Sequence, residues 1–142
     1  MRQSRRRREG EYQVETSRED YSDRYVVHMD DKFGSLALID VAAEADAVTV
    51  PWFNQTLTTV NDALVRLGVF CGEYHWHKHD HQDEFFLVID GELNLDIEGR
   101  EGVVLQKHQG YTVPKGVVHR TRAPKRCVCV MIEQAGIVPT GD

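Results

Sequence analysis

The chain has 142 residues, 41% hydrophobic and 28% charged, which suits one domain with a single core. Its net charge of −6 speaks against a nucleic-acid partner, since phosphate binding wants a basic surface. No apolar run reaches the roughly 18 residues of a membrane-spanning helix, so no membrane partner is expected.

Residues 1–24 are polar, with seven arginines, four of them in a row at Arg5–Arg8, and read as a flexible basic tail. No apolar stretch follows these charges as a secretory signal would require, so the expected compartment is the cytoplasm. Residues 25–54 read as an irregular N-terminal extension with short apolar runs at Val26–Val27 and Leu36–Ile39. Within it "DVAAEADAV", Asp40 to Val48, is one short helix or an irregular crossover, and Pro51 interrupts what precedes it.

From Gln55 the punctuation changes. "QTLTTV", "ALVRLGVFC", "EYHWHKH", "DEFFLVID", "ELNLDIE", "GVVLQ", "YTV", "VVHRTRA" and "CVCVMIE" are short segments rich in β-branched and aromatic residues. Turn signals separate them, among them Asp80–Gln82, Asp90-Gly91, Pro114–Gly116 and Pro124-Lys125, and this spacing predicts an all-β sandwich or barrel over residues 55–135. Asp90-Gly91 predicts a two-residue hairpin turn. Residues 136–142 read as a C-terminal tail.

"DEFFLVID" is apolar on both faces, Phe86 and Val88 on one and Phe85, Leu87 and Ile89 on the other. Such a strand is covered twice, which predicts a second sheet or a second subunit, and a homodimer is the favoured arrangement. Cys127 and Cys129 share one face of "CVCVMIE" and are expected to be buried, inert thiols, and three cysteines with no secretion signal make no disulfide framework.

The stretch "EYHWHKHDHQDEFF", Glu73 to Phe86, holds four of the seven histidines. Residues two apart on a strand share a face, so His75, His77 and His79 line one side. If Asp80 and His81 make the bend of a hairpin, Gln82 and Glu84 return opposite His77 and His79, within reach of one cation. A further ligand has to come from elsewhere, and His119, after the Pro-x-Gly turn of "VPKGVVHRT", has the setting for it. His28, His81 and His108 are expected on the surface, and Trp76 is expected to point outward.

"HKHDHQDEFFLVIDG" fits the pattern H-x-H-x₄-E-x₆-G on His77, His79, Glu84 and Gly91, and "PKGVVH" fits P-x-G-x₂-H on Pro114, Gly116 and His119. These are the two motifs of the cupins, and "GEYHWHKHDHQDEFFLVIDGEL" resembles the small single-domain cupins of bacteria. The resemblance implies a single cupin barrel, a double-stranded β-helix of jelly-roll type, with His77, His79, Glu84 and His119 as ligands of one divalent metal ion. The chain departs from the pattern in three places. Gly72 stands one residue too close to His77, His108 occupies a position usually held by glycine while Gly110 lies nearer the proline, and Ala123 replaces the usual final asparagine. His75-x-His77-x₄-Gln82 also repeats the motif spacing two residues earlier, so Gln82 is a ligand in addition to or instead of Glu84 in the alternative register.

Zinc is the expected ion, with iron, manganese or nickel as alternatives that imidazole and carboxylate also serve. Val69, Phe86, Val88 and Tyr111 are expected to line an apolar pocket for a small-molecule substrate, and His75, Gln82 and Tyr111 are the candidate catalytic residues. Similar small cupins are aromatic polyketide cyclases, so the expected function is a metal-dependent cyclase or isomerase acting on a carbonyl- or enol-rich molecule. The alternatives are a non-haem iron or manganese dioxygenase and a non-catalytic module that binds a small molecule such as a sugar.

Overall fold

The computed structural model describes Tyr21 and residues 23–142, and the expected basic tail lies outside the described residues apart from its last few positions. Among the described residues eight strands and one short helix follow in the order β1 (Val26–His28), α1 (Val41–Asp46), β2 (Trp52–Val60), β3 (Ala63–Glu73), β4 (Glu84–Asp90), β5 (Leu93–Ile97), β6 (Arg100–Leu105), β7 (Gly110–Val113) and β8 (His119–Gln134). The all-β expectation holds, and the strands curl into a small barrel.

Strand β8 organises the sheet, pairing antiparallel with β3 on one edge and with both β4 and β5 on the other. Outward from it, β3 pairs with β2, β2 with β1, β4 with β7, and β5 with β6. Two predicted turns are therefore corrected. Asp90-Gly91 makes no hairpin, because β4 and β5 run in succession along β8 and do not pair with each other. Gly91 has φ of 81°, and a Cβ there would lie 2.6 Å from the Arg126 carbonyl oxygen, so the glycine admits a close backbone crossing. Pro124-Lys125 makes no turn either. It sits inside β8 where pairing is interrupted on both sides, which is where a residue without an N–H is tolerated.

The N-terminal extension is also more integrated than expected. Val26–His28 joins the sheet as a parallel edge strand, and β2 begins at Trp52, ahead of the expected boundary. Asp40 caps α1, its Oδ1 accepting from the Ala43 amide at 3.0 Å. The helix and its flanks lay Phe33, Ile39, Val41 and Val48 over Leu57, Leu67, Val69 and Val128 on the outer face of the sheet. None of the described helices is long and apolar enough to cross a membrane.

Inside the barrel, alternate residues converge: Trp52 from β2, Phe70 from β3, Phe86 and Val88 from β4, and Cys127, Cys129 and Met131 from β8. Each large apolar side chain so buried contributes about 1.5–3 kcal/mol. Burial pushes the Cys127 thiol up to about 12, so it holds its proton at neutral pH, and Cys129 is shifted the same way.

On the flank of the barrel Asp96 of β5 accepts from Arg122 Nη2 at 2.9 Å and from Arg120 Nε at 2.8 Å, both on β8. The Arg122 hydrogen bonds, opposed by partial burial and aided by Arg120, hold the Asp96 carboxyl below its ordinary value of 3.8. A carboxyl lowered on folding contributes stability above its unfolded value, and that contribution is lost as pH falls through the lowered one. Asp96→Asn is therefore expected to cost about 1 kcal/mol at pH 7, the group being partly screened by solvent, and progressively less below pH 3.8, as read by urea unfolding at several pH values.

Candidate metal centre

Residues 74–83 do not form the first arm of a hairpin, which corrects the expected geometry. His77 instead pairs with His119 across an isolated bridge, with N···O distances of 2.9 and 2.8 Å in the two directions. The partner of the histidine-rich stretch is thus the start of β8, far away in sequence. Local alternation specifies a face and not a neighbour, so the sequence pattern did not reveal this pairing. The Pro-Lys-Gly turn positions β8, with Val117 N donating to the Pro114 carbonyl and Gly116 N to that of His79. Asp83 Oδ1 accepts from the Lys115 amide at 2.9 Å and ties the turn to the loop before β4.

This arrangement brings together His77, His79, Glu84 and His119, whose ligand atoms all lie within 4.8 Å of one another. His79, Glu84 and His119 are buried and His77 half-buried. Two of the imidazoles have a fixed tautomer. A carbonyl can only accept, so Nδ1 of His77 donates to the His75 carbonyl at 3.0 Å and Nδ1 of His119 to that of Val117 at 2.9 Å. Their Nε2 lone pairs are left for the centre, the usual role of such outer hydrogen bonds. His119 Nε2 stands 3.2 Å and His79 Nε2 3.1 Å from Glu84 Oε2.

Neither ring nitrogen of His79 has a hydrogen-bond partner among the described residues, although the ring is buried. Despite its closeness to Glu84, the ring is out of hydrogen-bonding geometry, and an unpaired buried nitrogen is costly. A cation at the convergence point would satisfy Nε2, the nitrogen that faces Glu84. Burial, reinforced by the His119 ring beside it, pushes His77 down to about 3, so its imidazole is neutral and able to ligate at pH 7. Burial alone would raise the Glu84 carboxyl, but His119 and His79 hold it below the usual carboxylate range, leaving it ionised. Three imidazoles and one carboxylate fit a divalent ion such as zinc.

Sequence reading missed the polar residues behind Glu84. Glu133 of β8 lies directly opposite Glu84 in the β4–β8 register, and both line the same small cavity. Burial, together with the Glu84 charge, raises the Glu133 carboxyl well above the usual range against the pull of Arg66, so it carries a proton and hydrogen-bonds to Glu84. Arg66, fully buried on β3, donates to Thr56 Oγ1 at 3.1 Å and reaches Glu133 Oε2 at 3.4 Å. Its Nη2 donates to Asn54 Oδ1 and to the His28 carbonyl. The available signal was phase: Arg66 shares a face with Phe70, and Glu133 with Cys129 and Met131, so two charged residues fall in the interior row. Glu133→Ala is expected to weaken metal binding about 10–100-fold in a chelator competition, whereas Glu133→Gln, which can still donate to Glu84, keeps most of it.

The other candidates lie elsewhere. His75 is outside the four-residue group; its Nε2 donates to the Thr140 carbonyl at 2.7 Å and its ring stacks on Tyr21 at 3.8 Å between centroids. Gln82 is half-buried in the loop before β4 and does not border the inner cavity. Tyr111 of β7 pairs with Phe86 and packs against the core without bordering that cavity. The expected lining is corrected likewise. Phe86 lines the cavity, but Val88 lies deeper in the core, and Val69 points to the outer cluster under α1, the opposite side of its strand. The cavity walls are Trp52, Phe70, Tyr74, Phe86 and Met131, with polar Asn54 and Thr121 among them. His28, His81 and His108 are exposed, and Trp76 points outward beneath Arg120, 4.9 Å from its ring centroid.

Comparison with known proteins agrees with the geometry. The model of the cupin domain family matches residues 70–133. Over 101 residues the chain is 44% identical to the uncharacterized protein YdbB of Bacillus subtilis (strain 168), a match spanning 70% of this chain and 89% of that protein. A cupin-2 domain containing protein from Shewanella frigidimarina NCIMB 400 superposes with a TM-score of 0.63 at 29% identity, covering 68% of this chain and 93% of that one. Protein NMB1881 from Neisseria meningitidis shares the fold with a TM-score of 0.63 at 23% identity, over 70% of this chain and 100% of that one. With both histidine motifs converging inside a β-barrel, and a relative this similar across most of its length, the chain belongs to the cupin superfamily.

Proposed function

We propose that the protein is a metal-dependent enzyme of cyclase or isomerase type acting on a small carbonyl- or enol-bearing molecule. The observation that carries this reading is the convergence of His77, His79, His119 and Glu84, with two imidazole tautomers already set by backbone carbonyls. His77, His79, His119 and Glu84 would hold zinc, which when bound supplies Lewis-acid polarisation of a carbonyl or enol oxygen.

The chain's own groups serve the remaining needs of such chemistry. Trp52, Phe70 and Phe86 exclude water and offer flat apolar walls to an unsaturated or aromatic molecule. Burial, together with the nearby Glu84 charge, raises the Tyr74 hydroxyl, which keeps its proton and donates it to the Pro139 carbonyl at 3.0 Å. Asn54 and Thr121 supply neutral polar groups at the same wall.

The test is metal analysis of protein purified without tag or chelator, followed by oxygen uptake with the matching ion. Stoichiometric zinc without oxygen consumption is expected. Bound iron or manganese with oxygen uptake would make the protein a dioxygenase, and no bound metal would leave a ligand-binding module.

A homodimer belongs to the same proposal. Phe85 and Leu87 of β4 pair in register with Ile132 and Val130 of β8 on the outer face, and Ile132 is 42% exposed. The chain's own α1 region covers Ile89 but leaves this row open, and a second copy would bury it. Light scattering is expected to give twice the chain mass, and Ile132→Glu to shift it towards the monomer.

A further inference from the structure

Residues 136–142, expected as a tail, are docked against the mouth of the histidine–glutamate cluster. Ile137 is buried and anchors the near end. Beyond it residues 138–141 are half-buried, and hydrogen bonds hold them. The Pro139 carbonyl accepts from Tyr74 Oη, the Thr140 carbonyl from His75 Nε2, and the Lys78 carbonyl from the Asp142 amide at 3.0 Å. Asp142 Oδ2 in turn accepts from the Asp80 amide at 2.6 Å. The segment thus grips the chain on both sides of His77 and His79.

Two cavities meet across this segment. The inner one, bordered by His77, Glu84, Phe86 and Pro139, measures about 20 Å³, room for little more than one water. The outer one, bordered by His75, Trp76, His77, Thr140 and Asp142, measures about 240 Å³. His77 borders both. A molecule of substrate size fits the outer space, while His79, Glu84 and His119 are themselves buried.

We propose that Ile137–Asp142 is a strap closed over the metal centre, that it swings aside on Ile137 to admit a small molecule, and that His75 and Asp142 are its latches. The proposal rests on the metal-centre reading for its purpose, though not for the motion itself. A segment outside the strand ladder, tied to it by side-chain and loop hydrogen bonds, can open locally without the barrel unfolding. Closure demands a glycine at 141. Its φ is 96°, and a Cβ would lie 2.7 Å from His77 Cβ and 3.1 Å from the Lys78 carbonyl oxygen. His75 is on this reading a positioning residue for the strap, consistent with its place outside the ligand group.

Two measurements test it. Hydrogen exchange on the metal-free protein is expected to show the Gly141 and Asp142 amides, bonded to the Val138 and Lys78 carbonyls, exchanging at least about tenfold faster than paired amides of β8. Exchange of both groups at one common rate would overturn the strap. In zinc-loaded protein, Gly141→Ala and His75→Phe are each expected to speed zinc transfer to a colorimetric chelator about tenfold, with zinc stoichiometry and melting temperature kept near those of the parent. Transfer at the parental rate in both would overturn the strap as the gate. A parent that binds no zinc would overturn the metal-centre reading, and the exchange experiment would still decide the motion.

Discussion

Replacing His119 by alanine is expected to strip the protein of its metal. His119 is buried at the start of β8, its Nδ1 tied to the Val117 carbonyl and its Nε2 facing Glu84. Four-ligand zinc sites bind with about 10–16 kcal/mol, so one ligand of four is worth roughly 3–4 kcal/mol, a loss of about 10²–10³ in affinity. The pairing of His119 with His77 is made by main-chain atoms and survives the substitution, so the barrel should still form. The measurement is metal content after dialysis, with His28→Ala as control because His28 is exposed. Full metal content in the His119 variant would refute the site, and equal loss in both variants would point to general unfolding.

The largest loss of stability is expected from Arg66→Ala. The guanidinium has no exposed surface and joins four strands: Thr56 and Asn54 of β2, Glu133 of β8 and the His28 carbonyl of β1 all bond to it from its place on β3. Alanine would leave a cavity and strand these acceptors without water, and the cavity and the unmade hydrogen bonds together cost about 3–5 kcal/mol. For a domain of this size that corresponds to a fall of about 10–20 °C in melting temperature. The double variant Arg66→Met/Glu133→Leu removes the Arg66–Glu133 pair together and should recover part of the loss, with Thr56, Asn54 and the His28 carbonyl still without their donor. A single-variant loss below about 1 kcal/mol in urea unfolding would show that the network contributes little.

Much of this molecule can be read along the chain. Period-two alternation marks Phe86, Val88, Cys127 and Cys129 as interior, and the structure buries all four. The spacing from His77 to Glu84, with His119 behind a Pro-x-Gly turn, picks out the side chains that converge. Arg66 and Glu133 were visible as charges in an interior row, yet alternation does not say that they lie behind the same carboxylate. The segment from Ile137 to Asp142 has no periodicity at all, and its place against His75 and Lys78 is invisible from its own residues.

The sequence by itself determined the local matters: strand-forming runs, the face each side chain takes, and which imidazoles and carboxylate are available to a cation. Those follow from backbone sterics and side-chain chemistry, which act over a few residues. Only the tertiary structure decided that His77 pairs with His119, that β4 and β5 share β8 and not a hairpin, and that residues 137–142 dock against Tyr74, His75 and Lys78. Those are contests between distant segments for the same hydrogen bonds and the same buried surface, and they are resolved only when the whole barrel closes.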